Sequence, residues 1–250
     1  MWDTYIIIPM TNVLLWIYES IGLNFGIAII LFTILIRAIT WPLTAQQLKG
    51  TQGMQELQKD KEWLGIQKKY KDNKEKLAQE QMRIYKERGI NPFGSCLPTL
   101  IQFPVIIGLY QSIIRSLAAT PLSLLNMSRS LYSFLDVSKV IPLNSKFLWM
   151  DLGRPESLEV FGFALPTLAI VVVITSYIQS KLMTPPANPG DQSAAMGNMM
   201  SIYMPFLMGY FAMTFASGLA LYFITSNLLG IAQYAMMGRA NWSNLIPGRK

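Results

Sequence analysis

Arg37 is the residue whose type and setting point most directly to a chemical role. It lies within residues 25–43, which carry no other charge and are long enough to cross a bilayer. An arginine at the middle of a membrane helix costs about 2.5 to 3.5 kcal/mol on insertion scales, so such residues usually face a bundle interior or a water-filled cavity. Thr33, Thr40 and Thr44 share its face of a helix. This polar stripe predicts a cation facing a hydrated cavity, with snorkelling toward headgroups as the alternative.

Other chemistry is limited by the residue types that the chain lacks. Its carboxylates all lie outside the apolar segments, so the sequence offers no intramembrane acid to neutralise Arg37 or to relay protons. There is no histidine, and the single cysteine, Cys96, is expected to be a packing residue. A serine–histidine pair, a histidine-ligated metal and an internal disulfide are therefore excluded. We expect no catalytic residues, no metal and no cofactor.

Composition and charge distribution predict a polytopic membrane protein. The chain has 250 residues, of which 52% are hydrophobic and 14% charged. Of 21 basic residues, 11 lie between Lys49 and Arg88, and none lies in the first 36. Because cytoplasmic loops carry the excess of lysine and arginine, this segment is predicted to be cytoplasmic and the N-terminus external. The basic charge therefore reflects topology, and no specific nucleic acid recognition is expected.

Hydropathy and breakers then divide the chain into segments of an all-α integral membrane protein. The predicted order is an outer-face amphipathic helix (1–22), transmembrane helix 1 (23–45), a cytoplasmic helical hairpin (46–91), transmembrane helix 2 (92–115), an external segment (116–160), transmembrane helix 3 (161–183), a cytoplasmic loop (184–197), transmembrane helix 4 (198–215), transmembrane helix 5 (217–237) and a cytoplasmic tail (238–250). The external segment is expected to be short on regular structure. A membrane crossing is the alternative for 1–22, and a charged solvated spacer is the alternative for 46–91.

Polar side chains recur inside the other predicted spans. They are Gln102 and Gln111 in the second, Thr175 and Gln179 in the third, and Tyr222, Thr225, Ser226 and Asn227 in the fifth. Intramembrane amides and hydroxyls often serve only as hydrogen-bonding contacts between helices. Together with Arg37 they favour a hydrated cavity.

Several motifs, in order and across almost the whole chain, resemble the YidC/Oxa/Alb membrane protein insertases. They are Ile34–Arg37 followed by Pro42–Thr44, Gly89–Pro98 with Asn91–Pro92, Leu100–Pro104, Ser217–Tyr222 and Ser226–Leu228. The resemblance implies a five-helix core around a hydrophilic groove that is open to the cytoplasm and to lipid and closed on the outer side. It also implies an N-terminal interfacial helix and the cytoplasmic hairpin.

The resemblance and the polar pattern together give a predicted substrate-binding groove. Its residues are Arg37, Thr33, Thr40, Gln102, Phe103, Ile106, Gln179, Tyr222 and Phe223. The family implies Arg37 as the groove arginine and Phe103 and Ile106 as positions that touch the passing chain. Many relatives have tryptophan or tyrosine at the position of Phe223, so this chain keeps the aromatic surface there but not a polar group.

The function implied is a membrane protein insertase and chaperone of the bacterial inner membrane, with the N-terminus outside and the C-terminus cytoplasmic. It would move nascent membrane proteins from the cytoplasm into lipid without nucleotide hydrolysis and would not be an enzyme. Membrane lipids, the Sec translocon, the ribosome and the signal-recognition-particle receptor are the further implied partners. Two alternatives stay open: a small-solute or anion carrier that uses Arg37, and a structural subunit of a larger membrane complex.

Overall fold

A computed structural model describes residues 1–57, 60–70, 73–89, 97–117, 121–140, 143–160, 163–183 and 192–238. The chain divides into two compact units. The first comprises Met1–Ala38, Pro104–Met183 and Ser201–Lys250, and the second comprises Ile39–Phe103 and Thr184–Met200. Several predicted features lie outside the described residues. They are the Asn91–Pro92 helix stop, Cys96, most of the loop 184–197 and nearly all of the tail.

Helices dominate both units. A π-helical turn, Asp3–Ile7, leads into the helices α1 (Ile8–Ser20), α2 (Phe25–Leu57), α3 (Lys61–Lys69), α4 (Lys74–Glu87), α5 (Leu97–Ser116), α6 (Pro121–Ser130), α7 (Val137–Val140), α8 (Thr167–Met183), α9 (Gln192–Thr214) and α10 (Ser217–Met236). Two antiparallel hairpins pair β1 (Lys146–Phe147) with β2 (Met150–Asp151), and β3 (Leu158–Val160) with β4 (Phe163–Leu165). The mainly helical fold class is confirmed.

Two helices of the described chain are long and apolar enough to cross a membrane. They are Phe25–Gln46 within α2 and Ser217–Met236, which is α10. The apolar part of α8, Thr167–Leu182, is shorter. The prediction of five crossings therefore stays a prediction.

Local sequence signals explain where α2 and α10 begin. The chain reverses between α1 and α2 at Gly22 and Leu23, which both have positive φ. The Asn24 side chain then accepts a hydrogen bond from the Ile27 amide at 3.1 Å and caps α2. At the other end of the chain, α9 ends at Thr214 and α10 begins at Ser217, where the sequence places the break between the fourth and fifth spans.

The N-terminal helix packs into the apolar core of the first unit. Leu14 and Leu15 are fully buried in that core, whereas Trp16 is 51% exposed on the opposite side. Asn12 donates from its side-chain amide to the carbonyl of Ser130 at 3.0 Å and accepts from the amide of Tyr132 at 2.7 Å. These bonds fix α1 to the last residue of α6 and to the chain just after it.

The segment between predicted spans two and three contains more regular structure than the sequence indicated. Besides α6 and α7 it holds both β-hairpins. The second hairpin also moves the start of the third apolar helix from the predicted residue 161 to Thr167. Leu158 pairs with Leu165 in this hairpin, and Pro166 follows, so these residues stay extended instead of helical.

Residues 147–156, which we call the clasp, join the ends of three helices. The ring of Phe147 lies so close to Gly26 in α2 that a methyl group there would sit 2.2 Å from the ring. Ser217 at the start of α10 donates its hydroxyl to the carbonyl of Asp151 at 2.6 Å and its amide to the carbonyl of Arg154 at 2.8 Å. The clasp thus supplies carbonyl acceptors for backbone N–H groups in the first turn of α10, which have no partners within the helix.

Glu156 attaches the same segment to α8. Its carboxylate accepts from the hydroxyl of Thr167 at 2.7 Å, the amide of Leu168 at 3.1 Å and the indole of Trp149 at 3.2 Å. Glu156 is only 9% exposed, so these three donors replace water around a buried charge. A carboxylate at this position also interacts favourably with the helix dipole.

In the second unit, α3 and α4 pack against each other as a hairpin. Leu57, Trp63, Ile66, Ile84 and Tyr85 form its small apolar cluster, in which the rings of Trp63 and Tyr85 lie 5.3 Å apart. Both helices have side-chain caps, since Asp60 accepts from the Glu62 amide and Asn73 from the Lys76 amide. Two packed helices thus lie within the segment 46–91, and the cytoplasmic hairpin stays a prediction.

Candidate functional site

Arg37 lies against α10, where Ser226 binds its guanidinium. The hydroxyl of Ser226 accepts from Nε at 3.1 Å and from Nη2 at 2.7 Å, and the carbonyl of Ser226 accepts from Nη2 at 2.8 Å. Ser226 is 5% exposed. These partners are neutral oxygens, so these bonds orient the guanidinium without cancelling its charge.

Gly230, one turn beyond Ser226, brings Gln179 to the same place. A methyl group at Gly230 would lie 2.5 Å from Nε2 of Gln179 and 3.5 Å from Nη2 of Arg37. The bare backbone at this position is therefore what allows the amide of α8 and the guanidinium of α2 to approach one face of α10. The structure thus brings together two predicted site residues, Arg37 and Gln179.

Asn227 connects α10 to α8 at the same level. Its side-chain amide donates to the hydroxyl of Thr175 at 3.1 Å and to that of Ser176 at 2.7 Å. Adjacent residues of α10 thus bond to two different helices, Ser226 to α2 and Asn227 to α8. The sequence marked both as polar residues in a span but did not assign them to the site, because helical periodicity does not reveal which helix lies opposite.

Three predicted groove residues are buried instead of presenting surface. Thr33 has no exposed area and donates its hydroxyl to the carbonyl of Ile29 at 2.7 Å. Tyr222 and Phe223 are 2% and 5% exposed and belong to the apolar core. In this conformation they support the helices around Arg37, and contact with a passing chain at these positions stays a prediction.

The remaining predicted site residues differ in setting. Ile106 is partly buried against the core of the first unit. Thr40, Gln102 and Phe103 belong to the second unit, where Phe103 is 43% exposed and the other two are half-buried. Their membership of one site with Arg37 stays a prediction.

The chemistry available at this site is hydrogen-bond donation with a positive charge. Arg37 offers N–H groups from a planar cation, and the amide of Gln179 adds neutral donors beside it. Such a set recognises carboxylates and carbonyl oxygens. Among the residues that the structure describes, no cluster of three or more histidine, cysteine, aspartate or glutamate side chains could hold a metal ion.

Comparison with known proteins decides the family. The sequence profile of the 60Kd inner membrane protein family matches residues 16–243. The chain belongs to this family. Membrane protein insertase MisCA of Bacillus subtilis is 34% identical over 234 residues, which cover 93% of this chain and 77% of that protein. Membrane protein insertase YidC 2 of Listeria innocua is 35% identical over 237 residues, with coverage of 93% and 70%. The resemblance to YidC insertases is therefore confirmed.

A solved structure also matches. It is described as an active YidC insertase crystal structure with the first transmembrane domain resolved, and it superposes with a TM-score of 0.54 at 28% identity. The match covers 88% of this chain but only 43% of the solved one. This similarity supports a YidC-like fold for the chain.

Proposed function

We propose that this protein is a membrane protein insertase and chaperone that moves nascent membrane proteins from the cytoplasm into the lipid bilayer. In this proposal five helices cross a bacterial inner membrane, with the N-terminus outside and the C-terminus cytoplasmic. Residues 23–45, 92–115, 161–183, 198–215 and 217–237 contain the crossings. Thr33, Thr40, Gln102, Phe103, Ile106, Tyr222 and Phe223 join Arg37 and Gln179 along a hydrophilic groove.

The observation that carries the proposal is the position of Arg37. A guanidinium on a helix that is long and apolar enough to span a membrane is bound by Ser226 and lies close to the amide of Gln179. Charged groups inside a membrane-spanning helix are costly in lipid, and they mark pathways for polar or charged cargo. The relatives are named membrane protein insertases, and a membrane protein that is inserted must carry polar tails across hydrocarbon.

In the proposed mechanism the polar tail of the substrate passes through a hydrated groove. A substrate's polar tail faces about 30 Å of hydrocarbon, and a hydrated groove that reaches partway shortens this path. Arg37 attracts acidic side chains on the tail, with about 4 kcal/mol for two charges 4 Å apart at an effective dielectric constant of 20. The hydrophobic helix of the substrate then moves sideways into lipid along α8 and α10. Its partition into hydrocarbon drives insertion, so no nucleotide hydrolysis, cofactor or enzymatic step is needed.

The α3–α4 hairpin is the proposed recruitment surface on the cytoplasmic side. Its surface carries salt bridges from Arg83 to Glu80 at 2.8 Å and to Glu87 at 2.7 Å, and from Arg88 to Asp60 at 2.8 Å. Exposed charged helices of this kind suit transient contacts with other charged surfaces. The Sec translocon, the ribosome and the signal-recognition-particle receptor are the proposed partners there, and lipids surround the spans.

The test is reconstitution in liposomes with a single-span substrate that carries an acidic outer tail. Wild type is expected to insert the substrate, Arg37→Ala to lose most activity, and Arg37→Lys to keep much of it if charge is the main requirement. Arg129→Ala is the matched control, because Arg129 is an exposed residue of α6. No insertion by wild type, or full activity of Arg37→Ala, would refute the proposal.

A second candidate uses the same observation. An anion carrier would also need a cation bound among apolar helices, as Arg37 is. Saturable flux of a small anion in the same liposomes, lost in Arg37→Ala, would support a carrier. Protein insertion without such flux would support the insertase.

A further inference from the structure

Ser226 occupies the donors of Arg37 that a carboxylate would use for a two-point bond. A carboxylate can bind a guanidinium through two parallel N–H···O bonds, either at the Nε and Nη2 edge or at the Nη1 and Nη2 edge. Both arrangements require Nη2. In this structure Nη2 has two N–H groups and two acceptors within 2.8 Å, the hydroxyl and the carbonyl of Ser226.

We propose that Ser226 is a release residue: it competes with substrate carboxylates for Nε and Nη2 of Arg37 and so keeps the ion pair with the substrate short-lived. This inference rests on the proposed insertase function. It assigns to Ser226 a role in letting the substrate tail go, separate from the attraction that Arg37 supplies.

The need for such a competitor follows from the setting of the charge. A two-point pair in a low-dielectric environment is much stronger than the same pair in water, and a protein without an energy source must still release each tail. Ser226 is buried, and its hydroxyl and carbonyl project from one position of α10. Because both oxygens are held in place, they can replace the carboxylate as it leaves, and the guanidinium donors are not left unsatisfied.

Gly230 lets the amide of Gln179 lie next to Nη2 of Arg37. The point where a side chain at this position would begin lies 3.5 Å from Nη2 of Arg37 and 2.5 Å from Nε2 of Gln179. A carboxylate oxygen can enter here only if the flexible Gln179 side chain shifts, and it then has the amide of Gln179 as a donor. Because both N–H groups of Nη2 donate to Ser226, a bond from this nitrogen to the carboxylate requires that an oxygen of Ser226 be displaced.

The test compares Ser226→Ala with two matched variants in liposomes. Ser226→Ala removes the hydroxyl, which accepts two of the three bonds, and keeps the carbonyl. Ser226→Thr restores a hydroxyl. Thr225→Val removes a neighbouring hydroxyl that, among the described residues, donates to the Leu221 carbonyl of its own helix at 2.8 Å. Each variant is given substrates with an acidic tail or with the same tail in which asparagine replaces aspartate.

We expect Ser226→Ala to cross-link more of the stalled acidic tail and to insert it roughly three- to tenfold more slowly in single turnover. Ser226→Ala should slow the neutral tail much less than the acidic tail, and Ser226→Thr should restore the faster insertion of the acidic tail. Thr225→Val should match wild type for both tails. In an Arg37→Ala background, Ser226→Ala should have no further effect.

Three results would overturn the inference. Weaker cross-linking of the acidic tail would mean that Ser226 only positions Arg37. Equal slowing of both tails would mean a structural role, and unchanged kinetics would mean that the competition is not significant. If wild type inserts the substrate and Arg37→Ala does not, any of these results refutes the role of Ser226 and leaves the proposed function standing. A wild type that inserts nothing refutes the proposed function.

Discussion

Replacing Glu156 should reveal how much the clasp stabilises the first unit. Its carboxylate accepts three hydrogen bonds, from Thr167, Leu168 and Trp149. Bonds to a charged acceptor contribute about 1.5 to 3 kcal/mol each, but Trp149 is 58% exposed and would regain water in the variant. The amide of Leu168 is at the start of α8 and would lose its capping partner. We therefore expect Glu156→Ala to destabilise the protein by about 3 kcal/mol.

Glu156→Gln should have a smaller effect, for a geometric reason. Thr167 and Trp149 both donate to Oε1, and Leu168 donates to Oε2. A glutamine keeps one acceptor for the first two donors but places an amide N–H group against the Leu168 amide. The expected loss is about 1 to 1.5 kcal/mol, since one bond of three becomes unfavourable.

Thermal unfolding in detergent measures both variants. For a chain of this length 1 kcal/mol corresponds to about 2 to 4 °C, so Glu156→Ala should lower the midpoint by about 6 to 12 °C and Glu156→Gln by about half as much. Glu159→Ala is the control, because Glu159 is an exposed acid on the neighbouring β3. Equal midpoints for Glu156→Ala and Glu159→Ala would show that the clasp does not stabilise the fold.

Three further predictions address packing and charge elsewhere in the chain. Gly209→Ala would place a methyl group 2.3 Å from a valine of α8 and should destabilise the protein by about 1 to 3 kcal/mol. Gly65→Ala should instead stabilise α3 by about 0.5 to 1 kcal/mol, because the new methyl group would meet no described atom within 4 Å outside its own helix backbone and its chain neighbours. Chemical unfolding monitored by circular dichroism would measure both changes. Gln233→Met should raise the thermal midpoint by about 2 to 4 °C, because in the described structure the buried Nε2 of Gln233 has no hydrogen-bond partner, and a lower midpoint would contradict this. The Ser138 hydroxyl and amide hold the pKa of Asp136 below its usual range. The ionised acid therefore favours the folded state at neutral pH, and this stabilisation is lost as the pH falls through the folded-state pKa. Ser138→Ala should raise the pKa of Asp136, which carboxyl carbon NMR titration would measure.

The sequence was sufficient to predict the features that depend on local pattern. The anomalous charge of Arg37 in an apolar run, the mainly helical class and the break before Ser217 all follow from residue type and hydropathy. The family followed from motifs, which the comparisons confirm. The pairing of α3 with α4 was one of two predicted alternatives for that segment.

Features that depend on distant parts of the chain were not predictable. Ser226 and Gly230 are ordinary residues of an apolar helix until the position of α2 is known, and their roles arise from what lies opposite. Thr33 shares a helical face with Arg37, yet its hydroxyl bonds to the Ile29 carbonyl. A threonine can satisfy itself within its own helix, so periodicity alone overestimates how much of a polar stripe faces water.

The clasp also constrains the order in which this protein can assemble. Ser217 bonds to Asp151, 66 positions earlier in the chain, and Asn12 bonds to Ser130, 118 positions later. Synthesis proceeds from the N-terminus, so α1 and α2 exist before the segments that hold them. The contacts between α10 and residues 147–156 therefore form only after α10 has been made. A chain that stops before Ser217 leaves the carbonyls of Asp151 and Arg154 without these donors, so we expect limited proteolysis to cleave residues 147–156 faster in such a chain than in one that includes α10.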